Sequence, residues 1–142
     1  CPYVIHLNPA LVKVANAYEK KGITFLAISS NDVETYPQDG PLLMKKHAAE
    51  AMYPFPYLYD ETQNIAKQYK AACTPDFYLF DASLTLQYRG QFDGSRPGNA
   101  LPVTGASLKD AMDHLIEGKP QSDNQKPSLG CNIKWKAASL MT

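Results

Sequence analysis

Apolar residues near the start of the chain recur at three- and four-residue spacing, which predicts an amphipathic helix over residues 1–21. These apolar positions are Val4, Leu7, Leu11, Val14, Ala15 and Tyr18. Pro2 lies where the helix would begin, and Gly22 would end it. Pro9 falls inside the pattern and predicts a kink, because its ring removes a backbone hydrogen bond.

The next segments alternate between apolar runs and helical patterns. Residues 23–29 are apolar on both faces apart from one threonine, which is typical of a parallel strand covered on both sides. A polar, turn-rich stretch leads to a helix over residues 42–52 and a short strand over residues 55–59. A third helix is predicted over residues 62–72, with Thr62 as its N-cap.

Two strands over residues 76–80 and 85–89 are separated by a tight turn and predict a β-hairpin. A long loop with three glycines and two prolines then covers residues 91–105, and its length suggests a role. The last predicted helix covers residues 108–117, with Ser107 as its cap.

The order of elements is helix, strand, helix, strand, helix, strand, strand, helix, which is an α/β pattern. A helix before a buried parallel strand should itself follow a strand, because such crossovers are right-handed. We therefore expect one strand upstream of residue 1; the alternative is a strand supplied from elsewhere. The tail after the last helix is polar and predicted to be irregular apart from residues 131–135. The predicted domain covers residues 1–118, and the tail covers residues 119–142.

The composition is that of a soluble, single-domain globular protein. Of 142 residues, 44% are hydrophobic and 20% are charged, and fourteen basic residues balance fourteen acidic ones. We therefore expect no nucleic-acid partner, and no membrane partner either, since no apolar run approaches the ~20 residues of a membrane span. Three cysteines are too few for a disulfide framework and favour a reducing compartment. The expected location is cytoplasmic, the alternative being export by a signal peptide upstream of residue 1.

Cys1 stands at the mouth of the first predicted helix, immediately before Pro2. Backbone N–H groups and the helix dipole stabilise negative charge at that position. A helix N-terminus lowers a cysteine pKa from ~8.5 toward neutrality, and the thiolate is the reactive species. Cys1 is therefore a candidate nucleophile; the alternative is an inert, solvent-exposed terminal cysteine.

These segments together resemble the thioredoxin superfamily over roughly residues 1–118. In thioredoxins a catalytic C-x-x-C motif opens a helix that contains a proline eight residues after the first cysteine, and residues 1–4 (C-P-Y-V) and Pro9 have that spacing. The family's cis-proline precedes the first strand of a terminal hairpin, as Pro75 does here after Thr74. The local sequence alone predicts a trans bond, because only ~5–6% of X–Pro bonds are cis, whereas the resemblance implies a cis bond at Pro75.

The insertion between the first strand and the third helix narrows the resemblance. Residues 27–32, a helix, and residues 54–61 followed by a helix ending at residue 69 are similar to the peroxiredoxin-like group of alkyl hydroperoxide reductase and thiol-specific antioxidant relatives. The resemblance implies a thioredoxin-like α/β fold, with a central mixed sheet flanked by helices and a peroxiredoxin-like strand–helix insertion. It also implies thiol chemistry that uses no cofactor.

Val4 departs from the family pattern. It stands where thioredoxins have the second cysteine and where peroxiredoxins have the peroxidatic cysteine, so the motif has a single thiol and does not carry over peroxidase activity intact. The closest match is a peroxiredoxin-like subgroup with a single-cysteine C-P-Y-V start. The resemblance implies that Cys1 reacts, while Thr74 and Pro75 position the substrate backbone. The implied pocket residues are Pro2, Tyr3 and Val4.

Two further thiols are candidates for a resolving cysteine. Cys131 lies in the tail, and a flexible tail could deliver it to an oxidised Cys1. The alternative is that Ile133 and Trp135 anchor the tail and Cys131 is incidental. Cys73, which precedes Thr74, is the second candidate, and its alternative is a small buried apolar residue.

Other polar residues give weaker signals. Asp93 and Arg96 lie in the long loop and are candidates for orienting a substrate; the alternative is a solvated pair. The offset of His6 from Cys1 does not place it clearly against the sulfur. The histidines and cysteines have no metal-ligand spacing, so we expect no metal site.

The sequence therefore predicts a thiol-dependent oxidoreductase that acts on disulfides or hydroperoxides through Cys1. The expected partner is a thiol reductant such as a thioredoxin-like protein or glutathione. One rival is a true peroxidase. The other is a binding module with a thioredoxin fold and no redox turnover, a reading that Val4 favours.

Overall fold

The computed structural model describes residues 1–137 of the chain. Its α-helices are α1 (Pro2–Glu19), α2 (Pro41–Glu50), α3 (Asn64–Gln68) and α4 (Ala106–Ile116). Its strands are β1 (Ala27–Ser29), β2 (Tyr57–Tyr59), β3 (Cys73–Thr74), β4 (Phe77–Phe80), β5 (Leu86–Gly90) and β6 (Cys131–Asn132). The α/β class is confirmed, and the predicted helices and strands occur in the predicted order, with β3 and β6 in addition. The end of the predicted tail, residues 138–142, lies outside the described residues.

The strands form three hydrogen-bonded pairs within residues 1–137, instead of the one central sheet that the resemblance implied. β1 and β2 are parallel, whereas β4 and β5 form the predicted antiparallel hairpin. The third pair, β3 with β6, is antiparallel and was not predicted. It joins the segment before Pro75 to the tail.

The first strand is shorter and less buried than predicted. β1 has three residues, all of them half-buried, and residues 23–26 are outside it. The Ala27 amide donates a hydrogen bond to the Pro56 carbonyl at 2.9 Å. Toward the start of both strands, the preceding donor in the parallel ladder would be the Pro56 nitrogen, which carries no hydrogen. The ladder therefore does not extend upstream of this bond, and β2 begins after Pro56, later than the predicted residue 55.

The core lies between α1, the β4–β5 hairpin and α4. Its most buried members are Leu7, Val14, Tyr18, Leu79, Tyr88, Phe92, Leu108, Ala111 and Met112. α1 continues without interruption through Pro9. The Tyr18 hydroxyl donates to Asp113 Oδ1 at 2.8 Å and links α1 to α4; burial, with a contribution from Asp113, raises the pKa of Tyr18 to about 12.

The insertion is fastened to α1 by a cluster of polar and aromatic side chains. The Tyr53 hydroxyl donates to Asn8 Oδ1 at 2.8 Å, and His47 Nε2 lies 3.1 Å from both Asn8 Nδ2 and the Tyr53 oxygen. The rings of Phe55 and Tyr57 pack on Tyr53 with centroids at 4.7 and 5.6 Å. The helix that begins at the candidate nucleophile is therefore held from two sides, by the core and by the insertion.

The third helix is shorter than predicted, and Thr62 is not its N-cap. Gln63 takes that position with a left-handed backbone (φ 65°), and α3 has only five residues. The buried Asp60 carboxylate accepts hydrogen bonds from the Ala66 amide at 3.0 Å and the Ile65 amide at 3.4 Å. A left-handed residue cannot be part of a right-handed helix, so the helix begins after Gln63.

The fourth helix begins earlier than predicted, and Ser107 is not its N-cap. Gly105, with φ 71°, is the N-cap, so Ser107 lies inside the first turn. The buried Asp93 accepts hydrogen bonds from the Thr104 and Gly105 amides, both at 2.8 Å. An aspartate distant in sequence therefore fixes the backbone at the helix start by accepting the amides of the two residues that precede the helix.

The tail is ordered along the surface, contrary to the prediction of an irregular segment outside residues 131–135. We call residues 125–136 the strap. The Gln91 amide donates to the Lys126 carbonyl at 3.0 Å, β6 pairs with β3, and Ile133 is buried. Although little of the strap has regular secondary structure, it is fastened along most of its length.

We predict that Gly130→Ala destabilises the protein. A Cβ at Gly130 would overlap the carbonyl group of Thr74, so the strap would have to move away from β3. The free energy of unfolding should fall by about 1–3 kcal/mol, as for other overpacked sites, measured by denaturant unfolding.

Gly94→Ala is the matched control. Its Cβ would meet only the Leu101 side chain at 3.8 Å, an ordinary contact distance, so its effect should stay within about 0.5 kcal/mol. Equal stability of the Gly130 and Gly94 variants would contradict the close approach of the strap to β3.

Candidate active site

Cys1 is the N-cap of α1, and Pro2 begins the helix. The Cys1 side chain is exposed, and its carbonyl accepts the first helical hydrogen bond from the Ile5 amide at 3.1 Å. The sulfur is therefore at the positive end of the helix dipole, where a thiolate of the reduced protein is stabilised. This is the position that the helical pattern predicts.

Cys1 forms a disulfide with Cys131, and their Cα atoms are 6.5 Å apart. Cys131 is in β6 and lies opposite Thr74 in the register of the β3–β6 pair. Of the two resolving candidates, the structure therefore joins Cys131 to Cys1. The tail that carries Cys131 is not a freely moving arm, because the strap on both sides of Cys131 is hydrogen-bonded to the rest of the protein.

Thr74 and Pro75 lie against the disulfide. The Thr74–Pro75 peptide bond is cis. The Thr74 hydroxyl donates toward Cys1 Sγ at 3.7 Å, and the Thr74 carbonyl oxygen is also 3.7 Å from that sulfur. A threonine hydroxyl at this distance can donate to a thiolate and favour the charged form.

Cys73 is the free thiol, and its surroundings make it a poor nucleophile. It is half-buried, and its Sγ–H donates to the Pro75 carbonyl at 3.8 Å. Burial raises the pKa of the Cys73 thiol and the Asp76 carboxylate raises it further, against smaller opposing effects of Arg89 and Arg96. The thiol is thus held in its protonated form, which fits the alternative of a small apolar residue.

A small pocket lies beside Pro75 and beneath the strap. Its lining includes Tyr3, His6 and Leu7 of α1, and Ser128 and Leu129 of the strap. Residues 3, 6 and 7 share one face of a helix, which is why the implied pocket residue Tyr3 reaches it. Of the other two implied pocket residues, Pro2 is exposed and Val4 is half-buried, and the lining contains neither of them.

Asp93 and Arg96 do not form a solvated pair, nor is Asp93 available to orient a substrate. Asp93 is buried and accepts three backbone amides, including that of Ser95 at 2.9 Å. The Arg96 guanidinium donates to the Asp93 and Ser95 carbonyls at 2.6 and 2.8 Å and to Gln91 Oε1 at 2.9 Å. Both residues therefore hold the shape of the long loop beside the pocket.

His6 and Ser95 are a pair that sequence reasoning missed. The Ser95 hydroxyl donates to the Leu101 carbonyl at 2.7 Å, so its 2.7 Å contact with His6 Nε2 has the imidazole as donor. This pair ties the candidate active helix to the long loop. No local signal indicated it, because the two residues are far apart in sequence.

Neither a metal centre nor a membrane span is found in the described part of the chain. Among residues 1–137, no group of three or more His, Cys, Asp and Glu side chains is arranged to hold a metal ion. Within the same residues, no helix is both long and apolar enough to cross a bilayer.

Comparisons with known proteins agree with this architecture. An uncharacterized conserved protein from Geobacillus kaustophilus is 60% identical, with a TM-score of 0.94 over 96% of this chain and 72% of its own. A hypothetical protein from Sinorhizobium meliloti 1021 is 46% identical, with a TM-score of 0.94 over 96% of this chain and 75% of its own. A search of curated proteins found no match. The model of the AhpC/TSA family matches residues 1–89, and the chain therefore belongs to this family and has a thioredoxin-like, peroxiredoxin-like fold.

Proposed function

We propose that the protein is a thiol-dependent oxidoreductase in which Cys1 is the nucleophile and Cys131 is the resolving thiol. The observation that carries the proposal is the disulfide between these residues beside Thr74 and the cis-proline Pro75. Membership of the AhpC/TSA family supports thiol chemistry in general. The two similar structures reported above are of an uncharacterized and a hypothetical protein, so the assignment rests on the site itself.

The first step is attack by the Cys1 thiolate, with two possible substrate classes. With a disulfide, Cys1 forms a mixed disulfide and one substrate sulfur leaves as a thiolate that takes up a proton. With a hydroperoxide, Cys1 takes the terminal oxygen to become a sulfenic acid, and the remaining alkoxide or hydroxide takes up a proton. The N-terminus of α1 and the Thr74 hydroxyl favour the thiolate that both reactions require.

The second step is attack by the Cys131 thiolate on the oxidised Cys1 sulfur. It forms the Cys1–Cys131 disulfide and expels either the second substrate thiolate or hydroxide, which is protonated. Two protein thiols are oxidised in each cycle, and one disulfide or hydroperoxide is reduced. A thioredoxin-like protein or glutathione would then supply two electrons to restore both thiols.

A binding module without redox turnover is the second candidate. Val4 favours it, because this residue replaces the second cysteine of the motif. Turnover separates the two functions, because a binding module could carry the Cys1–Cys131 disulfide as a static bond. A binding module would not accelerate reduction of a disulfide or hydroperoxide by a thiol reductant, whereas the proposed oxidoreductase would.

We predict distinct effects of replacing each cysteine by serine. Cys1→Ser should reduce turnover of hydroxyethyl disulfide and of hydrogen peroxide to the uncatalysed rate, because the nucleophile is gone. Cys131→Ser should keep the first step and accumulate the Cys1 mixed disulfide or sulfenic acid, visible by intact mass.

Cys73→Ser is the matched control for both variants. The pKa of the Cys73 thiol is raised and the thiol is not part of the disulfide, so its replacement should leave the rates within about twofold. Undiminished turnover by Cys1→Ser, or an equal loss in Cys73→Ser, would reject the proposed assignment of the thiols.

We predict that Thr74→Val raises the pKa of the Cys1 thiol in the reduced protein. The variant keeps the shape but loses the hydroxyl that donates toward Cys1 Sγ. A shift of about one pKa unit would reduce the thiolate fraction about tenfold below the pKa. A thiol with a raised pKa ionises only at higher pH, and the thiolate is the form that is alkylated. The rise of Cys1 alkylation with pH should therefore move to higher pH.

The measurement is iodoacetamide labelling at graded pH, with Cys1 quantified by peptide mapping. Thr85→Val provides the control, because Thr85 is an exposed threonine in the hairpin turn, outside the site. Identical Cys1 profiles for the Thr74 and Thr85 variants would show that the hydroxyl does not stabilise the thiolate.

A further inference from the structure

We infer that Gln63 is a positioning residue that holds the strap so that Cys131 stays over Cys1 in the reduced protein. The inference deepens the proposed function, because it assumes that Cys131 resolves an oxidised Cys1. It adds that the disulfide closes on a strap already in place, without a search by a mobile tail.

The Gln63 side chain joins the start of α3 to two other segments, residue 30 and the strap. Its Nε2 donates to the Ser30 carbonyl at 2.7 Å and to the Lys134 carbonyl at 2.9 Å. Its Oε1 accepts the Lys136 amide at 2.9 Å. Gln63 is fully buried (0% exposed) and has φ 65°. A left-handed backbone at a non-glycine residue costs energy, and hydrogen bonds made by the buried amide offset that cost.

The strap is held on the downstream side of Cys131 by further bonds around the same point. The Asp32 amide donates to the Lys134 carbonyl at 2.8 Å, and the Lys134 amide donates to Asn31 Oδ1 at 2.9 Å. Lys134 therefore has its carbonyl bonded to Gln63 and Asp32 and its amide bonded to Asn31. None of these contacts involves a sulfur, so reduction of the disulfide removes none of them directly.

The upstream side of Cys131 is held independently. Gln125 accepts the Arg89 amide at 3.0 Å and donates to the Gln87 carbonyl at 3.0 Å. Ser128 Oγ lies 2.6 Å from the Gly90 carbonyl oxygen. Gln125 and Ser128 therefore fasten the strap to β5 upstream of Cys131 in the chain, whereas Gln63 holds it downstream.

These two sets of anchors confine Cys131. Ser128 and Lys134 are each three residues from Cys131, and three extended residues span at most about 10 Å. Cys131 therefore remains near Cys1 without the covalent bond, and the antiparallel pairing with Thr74 orients it. Such confinement raises the effective concentration of one thiol at the other.

The consequence is measurable as an exchange with glutathione. Reduced protein and glutathione disulfide exchange to give the Cys1–Cys131 disulfide and two glutathione molecules, so the thiols of the protein are oxidised and the glutathione disulfide is reduced. In the closing step the Cys131 thiolate displaces glutathione thiolate from Cys1. The position of this equilibrium gives the effective concentration of Cys131 at Cys1.

The experiment is a titration of Gln63→Ala in glutathione buffers, with the fraction of Cys1–Cys131 disulfide read by alkylation and intact mass. We expect the effective concentration to fall about tenfold or more, because the bonds of Gln63 to Lys134 and Lys136, which hold the strap downstream of Cys131, are lost. In a Cys131→Ser background, Gln63→Ala should leave the alkylation rate of Cys1 unchanged, since the hydrogen bonds that the variant removes go to Ser30, Lys134 and Lys136. A general loss of structure would change both measurements.

Gln68→Ala is the matched control, because Gln68 is an exposed glutamine in α3, the helix that Gln63 caps. Asn31→Ala is the second variant, and it decides the matter if Gln63→Ala does not fold. Asn31 lies outside the turn that begins α3, and its side chain accepts the Lys134 amide. Its replacement should also lower the effective concentration of Cys131 at Cys1.

Two outcomes are kept apart by this design. If the wild-type protein forms no Cys1–Cys131 disulfide in any buffer, the proposed function fails. If the wild type closes and a folded Gln63→Ala closes with the same effective concentration, only the role of Gln63 is overturned. For an unfolded Gln63→Ala, an unchanged value in Asn31→Ala overturns it.

Discussion

The antiparallel contact between Thr74 and Cys131 is the interaction on which the candidate site depends. It places a tail residue beside a residue that already faces the Cys1 sulfur, so the first turn of α1, the segment before Pro75 and the strap meet at one point. The strap comes so close to the Thr74 carbonyl that Gly130 has no space for a side chain. A two-residue strand pair is weak by itself. Its persistence therefore depends on what holds the segments on either side.

Buried polar side chains hold those segments. Asp60 and Asp93 each accept backbone amides at the start of a helix. Gln63 binds two carbonyls and one amide from two other parts of the chain, residue 30 and the strap. Irregular backbone cannot satisfy its own polar groups as a helix or sheet does. Because these side chains supply the partners, long stretches without regular structure keep a defined path next to the thiols.

The difference between regular elements and irregular segments held by buried polar side chains explains what could be predicted from the sequence. Apolar periodicity was sufficient for α1, α2 and the hairpin, and motif spacing brought Cys1 and Pro75 into one hypothesis. The strand at residues 23–29 was predicted too long because its limit is set by its partner, in which Pro56 lacks a donor. The strap was missed because glutamine-to-backbone bonds leave no periodic pattern. Which thiol pairs with Cys1 likewise depended on a tertiary contact.

The ordered strap also affects the energetics of the thiol pair. The disulfide joins residues separated by 130 positions, and the chain-entropy model gives about 5 kcal/mol of stabilisation for a loop of that length. Whatever stabilises the closed form lowers the reduction potential of the pair, by about 30 mV for each 1.4 kcal/mol. In the proposed cycle, ordering of the strap therefore favours transfer of electrons to the substrate and opposes regeneration. In that proposed cycle, the more strongly reducing the thiol partner is, the better it suits the second half-reaction.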